Sequence, residues 1–140
     1  MDNKTLQSLI YDQLYAASMY NYMTTLTNDE QMKSQFQTFE ADSKNNARIL
    51  EVYYEELNTS SYNPILKAPV KHDDLYESIL WMINYNGHSS ALYIAETRRP
   101  TNDQTIRNIT SYINNTINQH NTMLTAFYLD YLNTKKTSLP

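Results

Sequence analysis

The sequence predicts an all-α fold, an antiparallel four-helix bundle made of two related helix pairs. Three observations predict it. Apolar side chains recur at three- and four-residue intervals through four long segments, the period of a helix that buries one face. A single glycine and four prolines in 140 residues leave few places where a helix can break. The connections read short, long, short, the order of an antiparallel pair, a crossover along the bundle and a second antiparallel pair. A chain of this length suits one domain, residues 1–140, large enough to bury a core without a disulfide or structural metal.

The first helix is predicted over about 4–26, carrying Leu6, Leu9, Ile10, Leu14, Ala17, Tyr20 and Met23 at helical intervals. A turn at Thr27-Asn28 ends it. Asn28 then reads as the N-cap of a second helix over about 29–57, with Asp29 and Glu30 at the positive end of its dipole and Gln31 at the capping-box position. Its buried stripe is Met32, Phe36, Phe39, Ser43, Asn46, Leu50, Tyr53 and Leu57. Residues 58–73 hold Pro64 and Pro69 and form the crossover. A third helix over about 74–98 opens at Asp74 with Glu77 three residues on, and its stripe is Leu75, Ile79, Met82, Asn86, Ser89 and Tyr93. Thr101 with Gln104 repeats the capping pattern and opens a fourth helix over about 102–133, carrying Ile106, Ile109, Ile113, Ile117, His120, Leu124, Phe127 and Tyr131. Aligning Asn46 with His120 brings Ile49, Leu50, Tyr53 and Leu57 onto Met123, Leu124, Phe127 and Tyr131, as expected of a two-helix unit used twice.

Composition excludes several function classes. The net charge is −4 and the eleven Lys and Arg are scattered, so nucleic-acid binding has no electrostatic basis. Without cysteine there are no disulfides, thiolate metal sites or cysteine nucleophiles. No apolar run approaches the roughly 20 residues of a membrane span, and the N-terminus has no signal-peptide pattern. A cytoplasmic protein without membrane partners is expected. One glycine cannot build a phosphate loop, a dinucleotide fingerprint or a nucleophile elbow. Thirteen tyrosines stand out; Tyr11, Tyr53 or Tyr54, Tyr62, Tyr76 and Tyr128 are of the kind enriched at protein interfaces.

Polar residues interrupt the core stripes near the middle of the helices. Ser43 and Asn46 fall one turn apart where a soluble helix would carry Leu or Ala, and Asn86 and His120 interrupt the third and fourth stripes. Gly87, beside Asn86, is expected to mark the close approach of a neighbour, because glycine in mid-helix costs about 1 kcal/mol relative to alanine. The duplicated helix pair, the crossover and the stretches ADSKNNARILEVYYEEL and INQHNTML together resemble the ferritin-like superfamily, in particular its small rubrerythrin-like and bacterial ferritin-like domains. That resemblance implies a di-metal centre in which helices one and three each give a Glu, with a Tyr seven residues later, and helices two and four each give Glu-x-x-His.

Carried over by position, the resemblance puts Tyr15 (with Tyr22) and Asn86 (with Tyr93) in the first and third glutamate positions. It puts Ser43 and Asn46 in the second-helix pair, and Ile117 and His120 in the fourth. Only His120 keeps a ligating side chain. No cofactor and no metal ligand set is therefore expected; Tyr15, Ser43, Asn46, Asn86 and His120 are expected instead to form a central polar cluster, hydrogen-bonded among themselves or to trapped water. A displaced metal site would draw on Glu40, Asp42, Glu51 or Asp12 with His88 or His120.

Three functions follow. The first is a non-catalytic bundle acting as a structural or protein-interaction component, a homodimer or higher homo-oligomer through its helix faces. Since some ferritin-like proteins of spore-forming bacteria are coat components, the resemblance extends this reading to a spore-coat role. The alternatives are a metal-binding oxidoreductase or metal store with an unusual site, and a small-molecule binder using the vacated centre.

Overall fold

Four helices account for 79% of the chain in the computed structural model, which describes residues 1–137 and their side chains as far as Lys135. They are α1 (Asn3–Thr24), α2 (Glu30–Asn58), α3 (Leu75–Arg98) and α4 (Gln104–Thr137). No strand occurs among the described residues. The all-α four-helix bundle is thus the fold, with α1 packed along α2 and α3 along α4; the contacts between the two pairs are far thinner. None of these helices is long and apolar enough to cross a membrane.

Each helix begins on an aspartate whose carboxylate accepts from a backbone N–H three residues on, satisfying one of the unpaired donors of the first turn. Asp2 caps α1 through Thr5 N at 2.7 Å, and Asp29 caps α2 through Met32 N at 3.0 Å. Asp74 caps α3 through Glu77 N at 2.9 Å, and Asp103 caps α4 through Ile106 N at 3.2 Å. Two expected caps are corrected by one or two residues. Asp29 displaces Asn28, and Asp103 displaces Thr101, whose hydroxyl accepts instead from Asp103 N at 3.0 Å. A carboxylate is the stronger acceptor at the positive end of a helix dipole. Asp103 also accepts from the Tyr53 hydroxyl at 2.5 Å, tying α2 to the start of α4; burial and this carboxylate push the tyrosine up to about 12.

The core stripes are largely as the spacing predicts, with Leu6, Leu9, Ile10, Phe36, Leu50, Ile79, Met82, Ile113 and Leu124 sealed from solvent. Leu57 is a correction: it is 55 % exposed, one residue before α2 ends, in a last turn where Tyr54 and Asn58 are the residues that meet α1, at Gln7 and Asn3. α2 stops on Thr59, a left-handed residue with φ 55° whose N–H returns to Glu55 O. α4 continues to Thr137, four residues beyond the expected end. Gly87 corrects another expectation. A side chain built there would meet nothing within 4 Å, so no close approach requires the glycine.

The crossover runs along the outside of α1 and is held by tyrosine hydroxyls. Tyr11 accepts from Lys67 N at 3.1 Å, and Tyr15 donates to Ala68 O at 3.2 Å. Tyr22 both donates to His72 O and accepts from His72 N. His72 is anchored in turn to Ser78 on α3 through Nδ1 at 2.5 Å.

Candidate functional site: a polar network in the bundle centre

Ser43, Asn46, Asn86 and His120 are all buried in the bundle, at 1–3 % exposure. Asn86 and His120 do not meet directly. They are joined by Tyr20, a fully buried α1 residue, whose hydroxyl lies 3.3 Å from His120 Nδ1 and accepts from Asn86 Nδ2 at 3.0 Å. On its other side the imidazole Nε2 is 2.9 Å from the Asp42 carboxylate, which is 43 % exposed. Asn86 Nδ2 also donates to Asn121 Oδ1 at 3.0 Å, and Asn121 Nδ2 donates to the Ile83 carbonyl at 3.1 Å.

The hydrogen-bond directions are fixed from both ends. Asp42 can only accept, so His120 donates from Nε2; its Nδ1 then accepts from Tyr20. Donation therefore runs outward from Asn86, one way through Tyr20 and His120 to the Asp42 carboxylate at the surface and the other way through Asn121 to the Ile83 carbonyl, and the network spans α1, α2, α3 and α4. Phe39 lies against the imidazole with ring centroids 4.2 Å apart, and Tyr20 meets it edge-on at 5.4 Å. Burial lowers the His120 pKa from its usual value, partly offset by the hydrogen bond and charge of Asp42. Burial likewise raises the Tyr20 hydroxyl far above the ordinary tyrosine range, so both groups stay neutral near pH 7.

Tyr15 is a correction. Its hydroxyl serves the crossover, and its ring packs among Tyr11, Trp81 and Tyr85. The inward positions of α1 are Gln13 and Tyr20, two residues before the expected Tyr15 and Tyr22. Gln13 Oε1 accepts from Asn46 Nδ2 at 3.0 Å, and Gln13 is 3 % exposed. Gln13 and Tyr20 stand seven residues apart, as do Asn86 and Tyr93, but so do Tyr15 and Tyr22, so spacing alone could not fix the register on α1.

The second half is less complete. Tyr93 is fully buried, its hydroxyl has no hydrogen-bond partner, and Asn46 Oδ1 has none either. Burial pushes the Tyr93 hydroxyl well above its usual range. Nearby on the α3–α4 seam, Ser90 donates to Asn114 at 2.6 Å, and the Thr97 and Thr110 hydroxyls pair at 2.8 Å.

As a donor set for divalent metal these residues do not fit. Among the described residues no group of three or more His, Cys, Asp or Glu converges on one point. His120 has both ring nitrogens committed, and Asn46, Asn86, Ser43 and Ile117 bring no charge to offset a cation in a low-dielectric centre. The carboxylates of a displaced site are also dispersed. Glu40 pairs with Lys44 at 3.0 Å, Glu51 lies 3.8 Å from Arg48, Asp12 accepts from Tyr85, and His88 is exposed. Only Asp42 and His120 come together.

No family model matches the chain, and no curated protein does. Among solved structures, a hypothetical protein from Pyrococcus furiosus is similar with a TM-score of 0.76, at 16% identity over 92% of this chain and 89% of that one. At that identity the likeness extends to the fold alone.

Proposed function

We propose that this chain is a non-catalytic bundle of the ferritin-like kind that has lost its di-metal centre and works as a structural or assembly component. The observation that carries the reading is the state of His120. Its Nδ1 and Nε2 are held by Tyr20 and Asp42 at 3.3 and 2.9 Å, so a metal would have to break one of these bonds and would still find no second carboxylate. Around His120 the centre is satisfied without a ligand, and the two buried polar atoms left unpaired, Tyr93 Oη and Asn46 Oδ1, are neutral groups that bring no charge for a metal. Function then moves to the surface. Leu80, Leu92, Tyr112, Met123, Leu129 and Leu132 on α3 and α4 are each about 40–50 % exposed, which suits burial between copies of the chain. Assembly of this kind is the property a coat component of a spore would use.

The test joins metal content to assembly state. Protein purified without chelator is titrated with Fe(II), Mn(II) and Zn(II), and its mass in solution is followed by light scattering. The expected result is no stoichiometric metal, no thermal shift, and a dimer or larger species that Leu129→Lys with Leu132→Lys dissociates. Two metals per chain with a stability gain abolished by His120→Ala would overturn the loss of the centre. A monomer at high micromolar concentration would overturn the assembly role.

A further inference from the structure

A groove of about 400 Å³ opens where α1, α3 and the crossover meet, lined by Tyr11, Asp12, Tyr15, Ile65, Lys67 and Tyr85. Its aromatic wall is Tyr11, Tyr15 and Tyr85, and Trp81 backs Tyr85 from outside the groove. Tyr11 and Tyr15 stack on α1 with centroids 6.0 Å apart and planes at 9°, and Trp81 and Tyr85 stack on α3 at 5.1 Å and 16°. Tyr15 and Tyr85 meet across the helix pair at 5.7 Å. Docking of the crossover explains the hydroxyls of Tyr11 and Tyr15, which bond Lys67 N and Ala68 O. It does not explain Asp12.

Asp12 is a half-buried carboxylate among these rings. Its Oδ1 accepts from Tyr85 at 3.1 Å, and it makes no ion pair with any described residue. Burial raises its pKa, the mark of a charge taken from water without a compensating cation. Lys67 borders the groove but is exposed and does not come within ion-pair distance. Tyrosine faces attract cations through the ring quadrupole, and a carboxylate beside them supplies the countercharge. The volume is that of a small-molecule site.

We propose that this groove binds a small organic ammonium ion of the quaternary, methylated type, with Asp12 as counter-ion and Tyr11, Tyr15 and Tyr85 as the aromatic wall. An inorganic cation gains little there, because apolar ring faces cannot replace its hydration shell. A trimethylammonium group carries its charge on a greasy surface and loses little water on entry.

The single tryptophan, Trp81, stacks on Tyr85 and reports occupancy by its fluorescence. The intact chain is titrated with choline chloride and, separately, with 3,3-dimethyl-1-butanol, its neutral isostere, with amide chemical shifts recorded alongside. Saturable choline binding in the millimolar range is expected, with the neutral isostere at least about tenfold weaker. Asp12→Asn should weaken choline about tenfold, Tyr11→Leu severalfold, and Lys67→Gln should tighten it by removing a competing cation. Equal binding of choline and its isostere, or no saturable response to choline, overturns the proposal. So does choline affinity unchanged in Asp12→Asn. The comparison of choline with its isostere is made on the unaltered chain, so it decides the matter even if a variant does not fold.

Discussion

Tyr20 and Tyr93 occupy equivalent places in the two halves of the bundle, yet removing their hydroxyls should have opposite consequences. Tyr20→Phe keeps the ring and takes away one oxygen that holds two buried hydrogen bonds, to His120 at 3.3 Å and Asn86 at 3.0 Å. His120 Nδ1 is then left without a donor in a site closed to water. A buried group stripped of its partner costs about 1–3 kcal/mol, so the expected destabilisation is about 2 kcal/mol, a fall in Tm of about 6–8 °C for a domain of this size. Tyr93→Phe removes a hydroxyl that bonds nothing although its residue is fully buried. That change relieves a desolvated polar group and should be neutral or stabilise by up to about 1 kcal/mol. Urea unfolding followed by circular dichroism at 222 nm measures both, with an unchanged m-value as the sign that the unfolded ensemble is the same. Exposed Tyr112→Phe serves as the blank. If Tyr20→Phe and Tyr93→Phe come within about 0.5 kcal/mol of each other, the polarity assigned to the central chain is wrong.

Acid should weaken the fold through His120. Burial lowers its pKa below the usual 6.5, so the stability carried by the neutral ring is fully present above about pH 6.5 and is lost as the pH falls through the lower folded value. Urea midpoints between pH 8 and pH 5 should show this loss, and His120→Gln should flatten it; an identical slope in the variant would place the effect elsewhere. Gly87→Ala should stabilise by about 1 kcal/mol, since its new methyl group meets nothing within 4 Å, and thermal unfolding reads this directly. Thr59→Gly should stabilise by about 0.5–1 kcal/mol, the relief of a β-branched residue at φ 55° less the added freedom of glycine when unfolded; a loss of stability would mean that the threonine hydroxyl bond to Asn58 O outweighs the strain.

The helices were legible because burial and period coincide. Leu75, Ile79, Met82, Asn86, Ser89 and Tyr93 all fall inside, and an alternative register would turn most of them to water. The same reasoning placed Ser43, Asn46 and His120 in the interior. It failed on α1, where apolar and aromatic residues surround the helix. Leu9, Ile10, Tyr11, Leu14, Tyr15, Tyr20 and Tyr22 offer two stripes of similar strength, one for the bundle and one for the crossover. Nothing local tells them apart, because a tyrosine packed under a loop and a tyrosine packed in a core look alike in sequence. Asp42 was one of four carboxylates that the sequence offered beside His88 or His120, and a different reason kept it from being singled out. It is 43 % exposed and lies off the stripe, so its link to His120, 78 residues away, depends on how α2 and α4 face each other, a fact of tertiary packing alone.

That link also suggests why polar residues remain in the centre. Within each helix pair the packing is extensive, whereas between pairs it is thin, so apolar contact alone holds α1 with α2 more firmly than it aligns one pair on the other. Two repeats of one helix unit could slide by a turn, since Leu, Ile, Met and Phe tolerate such shifts with modest loss. A directional chain does not. With Tyr20 donating to His120 and accepting from Asn86, a slip of one turn on either seam would leave a buried imidazole and a buried amide without partners, at about 1–3 kcal/mol each. The network contributes most by penalising the wrong alignment, as a buried polar residue fixes register in a coiled coil. On this argument, replacing Tyr20, Asn86 and His120 together by apolar residues of similar size would cost less stability than Tyr20→Phe alone, and the price would appear instead as loss of a single native arrangement, visible as broadened or doubled amide resonances.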